Sequence, residues 1–588
     1  MSAPSVKNGR SEVTVIAIDF ETYYDKECTI RTLGADAYCR HPKFDPYMVA
    51  LYGEGLDYTG PTPDAPWDKI SPTQNFVAHN ASFDSLVFEA AQRMGHIPKH
   101  IQPVWDCSAN LAVYIQAPRN LKGASEQLLN ISPDKTIRDK MKGRTYSDLD
   151  ETEKKALTEY AHDDAVHCLC LWRTYHAQWP DQEREIARHT MTSGQRGVHI
   201  DTSKLAAGRE SLIKRKAEAE KLIPWAEEAN TVASLKLLKE YCESEGIDVP
   251  ASTNQNDADC VRWEDKYGKE YPVVAALRDW RKSNRIIRLF ETIQTRLRDD
   301  NTLPFNLKYF GAAATGRWSG DAGLNMQNLP RGEVFGVDTR SLFIPRSGKK
   351  FVVCDLAQIE PRCLSWIVDD NTLLDLVRAG KDIYTAHAMT SMRAKRVTKD
   401  IRQRAKIRVL GLGYGCGADR FRDLAAGWGY HMSKLEASNA VNEYRFANYK
   451  VQNFWEECAR DMRRDMGKDF VVTLPSGRTI TYYNVHEEHR QMKASTTMGA
   501  PPRYWYGGKI CENIVQATAR DVFTDCYHRV LKAGYEVVWT VHDELIVEVD
   551  ESNTTAKEDI EQIMSTTPSW LGDCPLGAEA YETDIYAK

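Results

Sequence analysis

The sequence predicts a multidomain protein of mixed class, an α/β domain followed by a longer α+β region. Three observations predict it: strand-to-helix transitions near the amino terminus, a central stretch of charged helix formers with few strand signals, and apolar strands ending in carboxylates in the second half. A chain of 588 residues has room for several domains of about 100–200 residues each. Apolar residues make up 42% and charged residues 27%, enough for ample core. Mean hydropathy is −0.52. No run approaches the roughly 18 apolar residues of a membrane span, and the polar first ten residues carry no secretory h-region. Fourteen cysteines are scattered without a C-x-x-C pair, which reads as reduced thiols and not as a disulfide framework or zinc site. A net charge of −6 leaves nucleic-acid binding to local patches.

The β-branched run from Val13 to Ile18 predicts a first strand, delivering Ile18-Asp19-Phe20-Glu21-Thr22 at its end. A second transition, Phe76-Val77-Ala78-His79-Asn80-Ala81-Ser82-Phe83-Asp84, precedes a helix from Leu86 to Met94. Residues 150–175 predict a long helix with acidic residues in its first turn. Residues 203–222, 233–243 and 273–298 predict an elongated helical subdomain. Farther on, Phe351-Val352-Val353-Cys354-Asp355 is a buried-strand pattern ending in a carboxylate. Val537 to Val547 is an apolar hairpin with the acidic turn Asp543-Glu544. No internal repeat or low-complexity linker marks the boundaries.

Asp19 and Glu21 alternate on one strand and share a face. Asp84 ends a separate element, and Tyr160 lies one helical turn before Asp164. Four carboxylates without neighbouring Cys or His make a hard-oxygen site suited to Mg²⁺ or Mn²⁺. Two such ions can clamp the attacking and leaving oxygens of a phosphodiester, with Tyr160 orienting a water. Singly, each acid reads as a solvated surface residue. The ordered set D-x-E, N-x-x-F-D and Y-x-x-x-D, with Asp106, Leu121 and Leu128-Leu129 between, resembles the proofreading 3′→5′ exonucleases of the DEDD type, tyrosine subclass, over about residues 12–180. The resemblance implies a ribonuclease-H-like fold and a live nuclease in residues 1–185. Asp19, Glu21, Asp84 and Asp164 would hold two metal ions, with Asn80 and Phe83 as second-layer and primer-end contacts.

The second acid set is Asp355 with Asp543 and Glu544, 188 residues apart from first to second and therefore joined only by folding. Phosphoryl transfer also needs cations for a triphosphate. Residues 393–408 hold eight Lys or Arg against one Asp. Arg402, Lys406, Leu410 and Tyr414 recur every four residues, which predicts one helical face. A solvated basic helix is the ordinary reading of a charge run, but here an apolar and an aromatic residue share the stripe.

Asp355-Leu356-Ala357-Gln358-Ile359-Glu360-Pro361-Arg362, Arg402-x-x-x-Lys406 through Tyr414-Gly415, and Val541-His542-Asp543-Glu544 resemble motifs A, B and C of family A DNA polymerases, the DNA polymerase I type. Thr315-Gly316-Arg317-Trp318-Ser319, Asn325-x-Gln327-Asn328-Leu329-Pro330 and Gly197-Val198-His199-Ile200-Asp201 resemble further segments of that family, in its order. The resemblance implies a right-hand polymerase: a helical thumb at 186–302, palm at 303–390 with motif A, fingers at 391–470 with motif B, and the rest of the palm at 471–588. Asp355, the Leu356 carbonyl and Asp543 would bind two Mg²⁺ (Mn²⁺ as a substitute), with Glu544 assisting. Glu360 would fill the space of a ribose 2′-hydroxyl. Arg402 and Lys406 would hold the triphosphate, Tyr414 would close over the nascent pair, and Gln358 would line the nucleotide site. Arg317, Gln516 and His542 would contact primer–template DNA. Leu410 stands where the family usually has Phe or Tyr, Pro361 replaces a common Leu and Leu356 a common Tyr.

The implied activity is template-directed addition of deoxynucleotides with 3′→5′ proofreading. Implied partners are primer–template DNA and deoxynucleoside triphosphates, with no membrane and a monomer as the default. No segment resembles the 5′-nuclease domain of bacterial DNA polymerase I, and the compact layout resembles bacteriophage replicases, which implies a phage enzyme in the host cytoplasm. Rival readings are a nuclease with a DNA-gripping polymerase relic, a single-chain RNA polymerase, and a non-catalytic DNA-binding module. The intact acid sets and Glu360 argue against them. His486-Glu487-Glu488-His489 has i,i+3 histidines after a strand-like stretch, not the i,i+4 pair of a helical zinc site. Gly413-x-Gly415-x-Gly417 ends a basic helix and is no dinucleotide fingerprint. Tyr504-Trp505-Tyr506 reads equally as a base-stacking platform or a core anchor. Arg278, Arg281, Lys282, Arg285 and Arg288 read as a phosphate track or a solvated face.

Overall fold

The computed structural model describes residues 14–226, 231–254, 257–321 and 323–587. Val13 and the polar first ten residues lie outside them. The chain divides into two compact units. The first comprises the described residues up to Gln195 with the segments Lys308–Trp318 and Ser495–Pro502. The second comprises Arg196–Leu307, Ser319–Ala494 and the residues from Arg503 onward.

The first unit is built on a mixed sheet of five strands, β1 (Val15–Glu21), β2 (Met48–Gly53), β3 (Leu56–Pro61), β4 (Asn75–Ala78) and β5 (Val104–Cys107), in the order β3-β2-β1-β4-β5. β1 runs antiparallel to β2 and parallel to β4, and β4 runs parallel to β5. Ile16, Ala17 and Ile18 are buried, so β1 is a central strand covered on both faces. Two helices flank it: α1 (Ala81–Met94), closed by Gly95 in the left-handed region, and α2 (Glu151–Tyr175). Asp150 caps α2 and exchanges bonds with Glu153, so the acidic first turn seen in the sequence is a capping box. β1 extends through Glu21, and α1 begins five residues before the expected Leu86. Asp84 therefore sits in the first turn of a helix instead of at the end of another element.

The second unit contains the long helices α3 (Thr202–Glu220) and α4 (Pro272–Arg296), capped by Asp201 and begun by a helix-compatible proline respectively. Its central sheet is antiparallel, β6 (Lys349–Leu356), β7 (Glu536–Val541), β8 (Glu544–Asp550) and β9 (Ala578–Thr583), in the order β7-β8-β6-β9. Phe351, Val352, Val353 and Cys354 on β6 and Leu545 to Val547 on β8 are fully buried. The helices that matter for the site are α5 (Ile359–Ile367), α6 (Ile383–Thr390), α7 (Lys399–Leu412) and α8 (Gly507–Lys532).

All fourteen cysteines are free thiols. Among the described residues, no helix is long and apolar enough to cross a membrane. His486 lies on the strand Thr479–Glu488 and His489 follows it in a positive-φ turn, so the two are not a helical pair. Trp505 is buried and donates to the Ala494 carbonyl, whereas Tyr504 and Tyr506 are exposed, their rings 5.9 Å apart. Arg281 of the basic α4 face is bound to Glu264 and to the Thr253 carbonyl, which leaves the exposed Lys282, Arg285 and Arg288 for solvent or phosphate.

Candidate active sites

In the first unit, β1 presents Asp19 and Glu21 two residues apart on one face, α1 brings Asp84, and α2 brings Tyr160 and Asp164 one turn apart. Burial pushes the Asp19 carboxyl well up, and the charges of Asp164, Glu21 and Asp84 push it further. Burial and then Asp164 raise Glu21 to about 8, against Arg138 and Lys135. Burial raises Asp84 to about 7 against the backbone N–H groups of Phe20, Asp84 and Asn80. These mutual effects place the four acids in one cluster with excess negative charge, the donor chemistry that fits a hard divalent ion. Among the described residues no group of three or more His, Cys, Asp or Glu side chains is arranged to hold an ion as it stands. A lysine supplies positive charge instead: Lys135 Nζ donates to both Asp164 oxygens, at 2.7 and 2.5 Å. Burial and the charges of Glu21, Asp164 and Asp19 push the Tyr160 phenol far up, so its hydroxyl keeps its proton. Asn80 is the N-cap of α1, without a side-chain capping bond. The Phe83 ring packs on the core, 6.0 Å from Tyr38.

In the second unit the acids meet through strand pairing. Asp355, near the end of β6, lies opposite Glu544, the first residue of β8. The Leu356 N–H donates to the Asp543 carbonyl at 3.1 Å, which joins the turn between β7 and β8 to the end of β6. Two residues here have left-handed backbones: Gln358 (φ 49°), N-cap of α5, and His542 (φ 57°), in the turn. Such conformations cost energy for non-glycine residues and need support. His542 has it, because its N–H donates to Gln327 Oε1 at 2.7 Å while Gln327 Nε2 donates to the Thr540 carbonyl at 2.6 Å. Gln327 is 3% exposed, so this amide is a buried clamp on the turn. The Gln358 amide oxygen is buried without a hydrogen-bond partner among the described residues. Glu544 is buried and accepts from the Tyr586 hydroxyl at 2.9 Å.

Arg402, Lys406 and Leu410 lie on α7, which starts at a Thr398 cap. Tyr414 lies beyond the helix end, since α7 stops at Leu412 before Gly413. The expected four-residue stripe therefore ends one step early. Tyr414 still reaches the site, donating to Glu360 on α5 at 3.0 Å. No motif or periodicity points to Tyr384 or Asp382. The Arg402 guanidinium and Lys406 ammonium stand over the Tyr384 ring, 5.3 and 5.9 Å from its centre. Burial above all pushes the Tyr384 phenol up to about 12, and the charges of Arg402, Asp382, Asp543 and Glu360 also act on it. The basic helix and the acids thus converge around one tyrosine. Asp382, the N-cap of α6, accepts from Arg402 at 3.0–3.1 Å. Leu410 is 37% exposed. Gln516 lies on α8 and donates to Glu512 at 3.3 Å. Arg317 belongs to the Lys308–Trp318 segment of the first unit.

The sequence profile of DNA polymerase family A matches residues 208–587. A DNA polymerase of Bacillus phage SP02 is 26% identical over 590 aligned positions, covering 87% of this chain and 89% of the phage protein. DNA polymerase I of Aquifex aeolicus is 28% identical, over 52% of this chain and 50% of its own length, so the chain spans about half of that relative. A solved structure described as the POL domain of Pol1 from M. smegmatis in complex with DNA primer-template and dNTP superposes with a TM-score of 0.69 at 17% identity, covering 98% of this chain and 96% of that one.

Proposed function

The chain belongs to DNA polymerase family A, and from that premise we propose that it is a template-directed DNA polymerase with a second, proofreading 3′→5′ exonuclease site. The observation that carries the polymerase reading is the convergence on Tyr384. Arg402 and Lys406 stand over a ring that also feels the charges of Asp543 and Glu360. A nucleoside triphosphate needs that pairing of cations for its phosphates with carboxylates for a divalent ion. In the proposed domain layout the thumb, palm, fingers and remaining palm keep the boundaries 186–302, 303–390, 391–470 and 471–588.

Asp355 and Asp543, with Glu544 beside them and the Leu356 carbonyl, would hold Mg²⁺. When bound, that ion would neutralise phosphate charge and favour the ionised 3′-hydroxyl. The chain's own part is orientation. Strand pairing fixes Asp355 against Glu544, Gln327 holds the turn that carries Asp543, and Arg402 and Lys406 draw the triphosphate to α7. Glu360, tethered by Tyr414, stands as the sugar gate. Gln358, Leu410, Gln516 and His542 would contact nucleotide or DNA, and Arg317 would do so from its own segment.

The exonuclease reading covers residues 1–185. It is supported by the strand order β3-β2-β1-β4-β5 with β2 alone antiparallel to β1, which matches a ribonuclease-H-like sheet, and by the clustering of Asp19, Glu21, Asp84 and Asp164. Tyr160, its hydroxyl protonated, would orient a water. Asn80 and Phe83 would border the primer end. The phage relative is a DNA polymerase; the proposal extends to a replicative role in a host cytoplasm, with primer–template DNA as partner and the monomer as working state.

Single-nucleotide incorporation on four templates tests the polymerase reading. The expected result is incorporation of only the complementary deoxynucleotide by the native protein and none by Asp355→Asn. Incorporation independent of the template would overturn it.

A further inference from the structure

Lys135 has no part in the site as read from its motifs, yet its ammonium is bonded to Asp164 and its charge reaches Asp19 and Glu21. It precedes the short helix Thr136–Lys140, whose Ile137 is buried and which packs against α2. Asp134 Oδ1 accepts from the Thr136 N–H at 2.9 Å, fixing the approach of the segment. From there the ammonium reaches both Asp164 oxygens, lies 3.5 Å from the Tyr160 hydroxyl, and stands 4.6 Å above the Tyr160 ring centre. The pair is enclosed, with side chains 22% and 8% exposed. A divalent ion shared by Asp19, Glu21 and Asp164 needs at least one of the oxygens that Lys135 now holds. Cation and ion therefore compete for one carboxylate.

We propose that Lys135 is a built-in counter-cation that competes with the divalent ion for Asp164 and so sets the ion concentration at which the exonuclease site becomes active. The inference rests on the exonuclease reading of that site. An ordinary surface ion pair would be more exposed and would lie away from a cluster of acids. Here removal of the ammonium removes a like charge within a few ångströms of the incoming ion, where screening by water is reduced.

The test is Mn²⁺ binding, followed by the electron paramagnetic resonance of the free ion, in the native protein, Lys135→Met, Lys135→Gln, Lys135→Arg, and the double variant Asp19→Ala/Glu21→Ala. The ion lost in the double variant identifies the amino-terminal site. Lys135→Met and Lys135→Gln are expected to tighten binding there by about tenfold, and Lys135→Arg, which keeps the positive charge, not to tighten it. The ion midpoint for degradation of single-stranded DNA should fall in parallel, and the midpoint for primer extension should stay put. Extension also reports that each variant is folded. Unchanged or weaker Mn²⁺ binding in the neutral variants, with binding still lost in the double variant, overturns the role of Lys135 and leaves the exonuclease reading intact. If the double variant keeps all ion binding and all end degradation, the exonuclease reading fails and this inference falls with it.

Discussion

Gln327 and His542 are 215 residues apart in sequence, yet the Gln327 amide oxygen accepts the His542 backbone N–H at 2.7 Å. The same amide donates to the Thr540 carbonyl at 2.6 Å, so one buried side chain holds the chain at two points just ahead of Asp543. A turn residue at φ 57° has an intrinsic tendency to relax, and the clamp opposes it.

The clamp predicts the phenotype of Gln327→Leu. Two backbone groups lose their partner, and the buried one, the Thr540 carbonyl, costs about 1–3 kcal/mol when unsatisfied. The expected outcome is a lower melting temperature and a single-turnover incorporation rate reduced about tenfold to a hundredfold, with primer–template affinity little changed. Loss of DNA affinity with an unchanged rate would contradict the clamp.

Tyr414 tethers Glu360, the residue proposed as the sugar gate. Glu360→Ala is expected to lower the preference for deoxynucleotides over ribonucleotides by about tenfold to a hundredfold, measured as a ratio of kcat/KM values. Tyr414→Phe keeps the ring and loses only the tether, so the preference should fall by a few-fold at most. Equal losses in the two variants would mean that the tyrosine hydroxyl, and not the carboxylate, is the gate.

Arg402, proposed to hold the triphosphate, is paired with Asp382. Asp382→Asn keeps the cap of α6, since asparagine caps helices well, and removes the competing charge. The expected result is a KM for deoxynucleotide lowered about threefold to tenfold with kcat little changed. A raised KM would show that Asp382 positions Arg402 instead of restraining it.

Glu21 and Asp84 predict how pH and metal act on the first unit. Burial first, and neighbouring acids for Glu21, lift their folded pKa values to about 8 and about 7, from ordinary values of 4.5 and 3.8. The stability they contribute in the metal-free protein is therefore fully present below the ordinary values and is lost as pH rises through about 7–8. A bound ion needs the ionised forms and displaces those protons. In EDTA the melting temperature of the first unit should fall from about pH 6 to about pH 8.5, and the rise produced by Mg²⁺ should be larger at the higher pH. A Mg²⁺ effect equal at both values would contradict the clustering.

What could be read from the chain was local. Alternation placed Asp19 and Glu21 on one strand face, and i,i+4 spacing paired Tyr160 with Asp164. An apolar hairpin with an acidic turn is the structure around Asp543. The family resemblance supplied the order of the polymerase motifs, and the family itself is shown by the profile match over residues 208–587. What could not be read depends on long-range pairing or on where a helix stops. Asp84 entered a helix because α1 begins at Ala81, ahead of the apolar run that announced it. Tyr414 left its helix because the chain turns at Gly413. Lys135, Asp382 and Tyr384 sit in stretches with no periodic or motif signal, and only tertiary contact reveals what they touch. The grouping of Lys308–Trp318 and Ser495–Pro502 with the first unit leaves no trace in composition.

The most direct test of the account is one assay of a labelled primer–template with Mg²⁺ and deoxynucleotides, run with the native protein, Asp355→Ala, and Asp19→Ala/Glu21→Ala. Two separate acidic sites predict extension by the native protein and by the double variant, degradation without extension by Asp355→Ala, and slower end removal by the double variant. A native protein that shortens the primer but never extends it, with any nucleotide, would contradict the account and leave a nuclease whose second unit only grips DNA.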